Sequence, residues 1–340
     1  MDGTPSLETR CRKILEDNGG LIAEKARTIF LKDSALKDLF PPFEFLSKNW
    51  RDPLTPAMMR LSCEAVGGKP EETYIPALAM SLINLSFRLW DDMIDKTSIR
   101  SFKPTFYGKF KEDTTLIIGG LVTAKAFSFL SQANIEYKKR QTIHKLIWNF
   151  LTKMARAETI NLRLRNQENP STKDKFWKIK TEAADLETCM KIGAILGEGS
   201  QNEICQLGKY GLNLGIIMEL WKDFHVSLNL TLELAEKIRS KALPYTVLWA
   251  KEHSERLQEI LASSITKENE QIYIKQIVAA IIKAKTLNNT FETIKKLTEN
   301  GKQVFTKMKR NTTTQTLQLF IEAQPRLFIE SLPKIKGITH

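Results

Sequence analysis

Three aspartates close one apolar segment: Leu89-Trp90-Asp91-Asp92-Met93-Ile94-Asp95. Asp91 and Asp95 are four residues apart, so a helix puts both carboxylates on one face. Asp92 stands about a third of a turn round. Three carboxylates at a helix C-terminus repel one another and face the negative end of the helix dipole. Such a group wants a cation. Mg²⁺ suits it, because that ion takes one or two carboxylates and leaves its other positions to water and phosphate oxygens. Lys96, Arg100 and Lys103 follow on a loop that ends at Pro104. Cations beside an acidic metal site suit a polyphosphate, which needs both metal and direct Lys or Arg contacts. The competing interpretation is a solvated acidic helix end. Against it, Ala77, Leu78, Leu82, Leu85 and Leu89 place the helix in a core and its acidic end at a pocket mouth.

The elements that must hold these residues are helices. Apolar residues recur at spacings of three and four, and strand-like alternation is nearly absent. Gln271 to Leu297 shows the pattern, with Ile274, Ile277, Val278, Ile281 and Ile282 on one face and Gly301 as the stop. The expected helices cover 7–39, 57–67, 71–95, 113–133, 136–166, 173–198, 202–229, 231–252, 268–299 and 302–324. Pro41 and Pro42 are expected to break the chain. No low-complexity linker, internal repeat or sustained heptad divides it, so residues 1–340 read as one all-α domain.

The net charge of +12 comes from Lys and Arg spread along the chain. Without zinc-finger spacing or an aromatic RNA-binding signature, nucleic acid is set aside. An anionic small substrate or an anionic membrane surface remains. Cys11, Cys63, Cys189 and Cys205 form no CxxC pair, which argues against a zinc site or disulfide framework and for a reducing cytoplasm. The polar stretch Met1 to Arg10 lacks an apolar core and is not expected to act as a secretory signal. No run is expected to reach the roughly 18 apolar residues of a membrane span.

Several further stretches carry a resemblance. Pro56 to Gly68, the aspartates at 91, 92 and 95, Arg100 with Lys103-Pro104-Thr105, Lys180-Thr181, Tyr210 to Gly215 and Leu243-Pro244 together resemble the trans-isoprenyl diphosphate synthase (polyprenyl synthetase) family. The likeness covers roughly residues 50 to 250. It implies a single bundle of long helices around a central apolar cavity, with two aspartate motifs facing each other across its mouth. It implies Mg²⁺ held by Asp91, Asp92, Asp95, Asp223 and Glu219, and Asp91, Asp95, Lys180 and Asp223 as catalytic residues. Arg100, Lys103, Lys180 and Arg51 are implied as diphosphate ligands. Phe87, one turn before Asp91, with Ser86 beside it, would floor the chain pocket and limit products to the farnesyl to geranylgeranyl range. The substrates implied are an allylic isoprenoid diphosphate and isopentenyl diphosphate, and the assembly implied is a homodimer. A basic surface would also suit peripheral contact with anionic membranes.

The sequence departs from the family pattern in four places. The basic Gly-Gly-Lys-Arg-x-Arg-Pro loop falls on Trp50-Arg51-Asp52-Pro53-Leu54-Thr55-Pro56, where only the proline survives; Arg51 or Lys48 would have to substitute. The paired arginines after the first motif become Arg100-Ser101. The second motif falls on Glu219-Leu220-Trp221-Lys222-Asp223-Phe224-His225-Val226, with Asp223 its one clean match and His225 expected as a surface or packing residue. Glu158 and Asn161 replace a Gln and an Asp. The allylic side is thus better preserved than the isopentenyl side. Prenyl transfer is the leading expectation. A terpene synthase acting on one diphosphate and a non-catalytic partner subunit are the alternatives.

Overall fold

The computed structural model describes residues 5–100, 102–167, 170–228, 232–263 and 269–331. Among them the helices are α1 (Leu7–Thr28), α2 (Phe40–Asn49), α3 (Leu54–Ala65), α4 (Tyr74–Ile94), α5 (Phe106–Gln132), α6 (Tyr137–Arg165), α7 (Thr172–Glu182) and α8 (Ala184–Leu196). They continue as α9 (Gln201–Leu228), α10 (Leu232–Arg239), α11 (Tyr245–Glu252), α12 (Glu255–Ala262), α13 (Glu270–Lys283), α14 (Thr286–Gln303), α15 (Thr312–Glu322) and α16 (Gln324–Ser331). One short antiparallel pair, β1 (Ile99–Arg100) with β2 (Lys103–Pro104), forms a hairpin after α4. The chain is all-α, as the apolar periodicity requires.

Two central helices organise the packing. Met58, Leu61 and Ala65 of α3 join a core with α9, α11 and α13 to α16, while Met59 and Cys63 join a second core with α1, α4, α5 and α6. On α8, Leu186, Met190 and Ala194 face the first core, and Cys189, Ile192 and Leu196 face the second. A helix apolar on all sides must be buried on all sides. The two helices approach closely at Gly193, where a Cβ would strike the Met59 carbonyl, and Ser62 Oγ donates to the Met190 carbonyl at 2.5 Å.

Helix α4 is buried along most of its length, with Leu78, Leu82, Ile83, Leu85 and Leu89 at 2 % exposure or less. Gly119 of α5 leaves room for the Trp90 indole. The stripe Asn84, Phe87, Arg88 and Asp91 instead lines an internal cavity. Helical spacing thus carries an apolar floor and an acidic end on one face of one helix.

Several expected boundaries move. Pro41 and Pro42 sit in the first turn of α2 and begin it, because proline lacks only an N–H that would have had no intrahelical partner there. The helix expected from 113 follows a kink at Lys111 (φ 64°), and α5 starts earlier at the Thr105 cap. The span 173–198 divides at Ala183, and 231–252 divides ahead of Pro244. The span 268–299 divides at Lys285, whose φ of 58° and ψ of 27° are left-handed. Gly301 is no stop: it lies inside α14, where its missing side chain admits Ile321.

Helix α5 corrects a further expectation. It is long and apolar enough to cross a bilayer by length and composition, with 33% of the relevant window buried. Its outward stripe exposes Leu116 at 57%, Ile117 at 62% and Phe127 at 39%.

Candidate active site

A cavity of about 790 Å³ lies among α3, α4, α6, α7, α8 and α9. Part of its wall is apolar, from Phe87, Phe150, Met154, Ile179, Leu186 and Met218. Phe87 packs edge-on to Phe150 at 5.8 Å and to Trp90 at 5.6 Å between ring centroids. This aromatic wall stands one turn back from Asp91. Ser86 does not share it: the side chain is fully buried and donates to the Leu82 carbonyl at 3.1 Å.

Asp91, Asp95 and Glu158 bring carboxylate oxygens within 4.8 Å of one another. Two come from the C-terminal turn of α4 and the third from α6. Hard oxygen donors from opposed helices fit a small divalent cation such as Mg²⁺, and like charges so close favour one. Burial pushes the Glu158 carboxyl up to about 7, against the pull of Lys178 and with the help of Asp91.

Cations surround these acids. Asp95 Oδ1 accepts from Asn161 Nδ2 at 2.9 Å and from Arg165 Nη2, and Oδ2 accepts from Lys237 Nζ at 2.9 Å. Asn161 and Arg165 lie three and seven residues after Glu158, on the same face of α6. Lys178 of α7 pairs with Glu182 and lies 3.7 Å from Glu158. Burial pushes the Lys178 ammonium down, but Glu182 and Glu158 outweigh it and its pKa is raised. Lys175, one turn earlier, is lowered to about 8 by burial and by Lys178.

Asp92 does not join the acidic cluster. It is 3% exposed, and its two oxygens accept from Arg100 at 2.5 and 3.3 Å. Burial and Asp91 raise its carboxyl to about 6 against the opposing Arg100. Arg100, expected on diphosphate, is therefore clamped to Asp92 and lies 3.6 Å from Glu233. Ser98, at the base of the hairpin, is tied to Glu236 of α10 through its backbone N–H at 2.9 Å.

The other expected residues fall in three groups. Arg51 lines the cavity but forms a two-pronged ion pair with Glu16 of α1, at 2.6 Å on each prong. Glu219 and Asp223 also line it. Glu219 pairs with Lys222 at 2.6 Å. Asp223 accepts from the Tyr245 N–H at 2.6 Å, the Thr246 N–H at 3.0 Å and Thr246 Oγ1 at 2.9 Å, so it holds the first turn of α11. Lys103 is exposed on β2 and Lys180 is exposed on α7, both outside the cavity. Two residues of shift on a helix turn a side chain through about 200°, so Lys178 faces inward where Lys180 was expected. His225 reaches the cavity edge, packs by Trp221 and meets Ser331 Oγ at 3.2 Å.

Residue-type motifs alone do not reveal Glu158 as a partner of Asp91, nor Lys178, Lys237 and Arg165 as the surrounding cations. The available signal was spacing: Glu158, Asn161 and Arg165 share one face, as do Lys175, Lys178 and Glu182. Asp185 is a further cavity acid, raised to about 7 by burial and by Glu219.

Comparison with known proteins accounts for this arrangement. The polyprenyl synthetase family model matches residues 47–282. A geranylgeranyl diphosphate synthase of Saccharolobus solfataricus is 24% identical over 255 residues, covering 72% of this chain and 76% of that protein. A short chain isoprenyl diphosphate synthase of Methanothermobacter thermautotrophicus is 25% identical over 172 residues, covering 50% of this chain and 53% of the relative, so there the match spans only about half of the relative's length. A polyprenyl synthase structure from Caulobacter crescentus, complexed with calcium and isoprenyl diphosphate, shares the fold with a TM-score of 0.80 at 17% identity, over 96% of this chain and 99% of that one. With the match running from the last turn of α2 through the acidic end of α4 to α13, the chain belongs to the polyprenyl synthetase family.

Proposed function

We propose that the chain is a prenyltransferase that joins an allylic isoprenoid diphosphate to isopentenyl diphosphate and releases a short-chain polyprenyl diphosphate. One observation supports this most: Asp91, Asp95 and Glu158 converge beside an apolar cavity that is ringed with Lys and Arg. Asp91, Asp95 and Glu158 are the residues that would hold Mg²⁺, with Glu219 and Asp223 across the cavity. Bound Mg²⁺ would neutralise charge building on the departing diphosphate. Lys175, Lys178 and Lys237 hold the same charge by direct contact. The C–O bond of the allylic substrate breaks, diphosphate leaves with the electron pair, and the isopentenyl double bond attacks the allylic carbon. Loss of one proton then restores neutrality in the new chain. The aromatic wall of Phe87 and Phe150 excludes water from the cation and limits growth to the farnesyl to geranylgeranyl range.

The outward stripes of α5 and α6, including Ile117, Tyr137 and Trp148, support a homodimer, since exposed apolar area of this kind marks an interface. The net charge of +12 supports peripheral contact with anionic membranes. Four free thiols suit a reducing compartment, and we place the enzyme in the cytoplasm.

The test is incubation with allylic diphosphates and Mg²⁺, with and without isopentenyl diphosphate. Longer diphosphates formed only with both substrates are expected, and Asp91→Ala should lower turnover by about 10²–10³-fold or more. A hydrocarbon or alcohol formed from one diphosphate would replace this reading with a terpene synthase.

A further inference from the structure

Glu158 and Asn161 stand where the family pattern has a Gln and an Asp. The pair keeps one carboxylate and one amide on the same face of α6, in reversed order. Asn161 is buried, and its Nδ2 donates to Asp95 Oδ1 at 2.9 Å and reaches Glu158 Oε2 at 3.5 Å. One neutral amide thus spans two acids, one from the end of α4 and one from α6. Arg165, one turn later, donates to Asp95 Oδ1 and, at 2.7 Å, to the Ile94 carbonyl. This face of α6 therefore grips the last turn of α4. Lys178 lies 3.7 Å from Glu158 but pairs more closely with Glu182, which leaves Glu158 to the acids. The oxygens of Asp91, Asp95 and Glu158 end within 4.8 Å of one another.

An aspartate at 161 would undo this arrangement. An ionised carboxylate only accepts, and it would meet Asp95 Oδ1 at hydrogen-bond distance with no proton between them. With Glu158 also acidic, four carboxylates would crowd one spot. The amide at 161 is what lets the acid stand at 158. The opposite order is equally self-consistent, because a glutamine at 158 can donate to an aspartate at 161. Either way the face carries one acid and one donor. We propose that Asn161 is a positioning residue that presents Asp95 and Glu158 to a divalent cation, and that positions 158 and 161 have exchanged their roles as a unit. The assignment deepens the prenyl-transfer reading and rests on it for the presence of the cation.

The experiment follows thermal unfolding of the full chain without metal, then in rising magnesium chloride with inorganic diphosphate present. Diphosphate without Mg²⁺ is the blank. Wild type is compared with Asn161→Asp, Glu158→Gln and the double variant Glu158→Gln/Asn161→Asp. Asn161→Asp should lower the metal-free midpoint, and Mg²⁺ should restore it by neutralising the added charge. Glu158→Gln should keep or raise the metal-free midpoint, but raise the Mg²⁺ concentration for half-maximal stabilisation by about 10- to 100-fold. The double variant should bring that concentration back toward the wild-type value. A purely structural Asn161 predicts a loss in Asn161→Asp that Mg²⁺ does not restore, and that result would overturn the positioning role, as would an unchanged metal-free midpoint. A double variant no better than Glu158→Gln, or one that fails to fold where Glu158→Gln folds, would overturn the exchange. Absence of any Mg²⁺ shift in the wild type would overturn both. Failure of the prenyl-transfer reading looks different: the Mg²⁺ shift and its recovery would persist in a chain that makes no longer diphosphate from the two substrates.

Discussion

At the scale of single residues, the cavity is a set of charges held close to their limits of burial. Asp185 is the clearest case. Its folded carboxyl is raised from 3.8 to about 7 by desolvation and by Glu219, while its oxygen accepts the Leu186 N–H at 2.5 Å. A raised carboxyl means that the folded chain binds the proton more tightly. The associated stability is complete below about pH 3.8 and is lost as pH rises toward 7. Asp185→Asn keeps an acceptor for Leu186 and removes the charge. It should stabilise the protein by about 1–2 kcal/mol at pH 8 and hardly at all near pH 4. Urea unfolding at both values measures the difference. Asp91 and Asp95 were legible as cavity acids from their type and spacing, whereas Glu219 and Asp223 were implied only by the family resemblance; all four line the cavity. The sequence did not show Asp92 held by Arg100, since that arginine arrives only when the β1–β2 hairpin folds back. It also hid Asp223's bonds to the first turn of α11, which depend on contact across 22 residues.

At the scale of elements, helix register decides which residues enter the cavity. Phe87 and Asp91 both line the cavity because α4 runs unbroken from Tyr74 to Ile94 and sets them one turn apart. Ser86, one position away, points into the core. Lys180, expected at the cavity from the Lys180-Thr181 pair, is exposed outside it, while Lys178, two residues earlier on α7, faces in. The break at Lys285 was hidden because a lysine carries no turn signal, and only packing makes its left-handed backbone visible. Phe87→Ala should open the aromatic wall and shift products toward longer chains, read by chromatography of the dephosphorylated alcohols. Its stability loss should fall below the roughly 3–5 kcal/mol of a fully buried Phe, because one side of the ring already faces the cavity. An active variant with an unchanged product distribution would remove Phe87 from the chain-length role.

At the scale of the whole molecule, the all-α class was readable from periodicity, since few positions support strand alternation. Helix α5 passes the length and composition test for a span because Lys109, Lys111, Glu112 and Asp113 crowd its start and Lys125 is its one later charge. With a homodimer as the reading for that face, Ile117→Asp together with Trp148→Asp should yield a monomer in sedimentation velocity while helix content stays constant. A species of unchanged mass would sink the dimer face. One feature of the packing reaches further. Helices α3 and α8 belong to both cores, so neither half can lose its order while the other keeps its interior. Heating should therefore melt the protein in a single calorimetric peak whose van 't Hoff and measured enthalpies agree, and a substitution in either half should move the same peak.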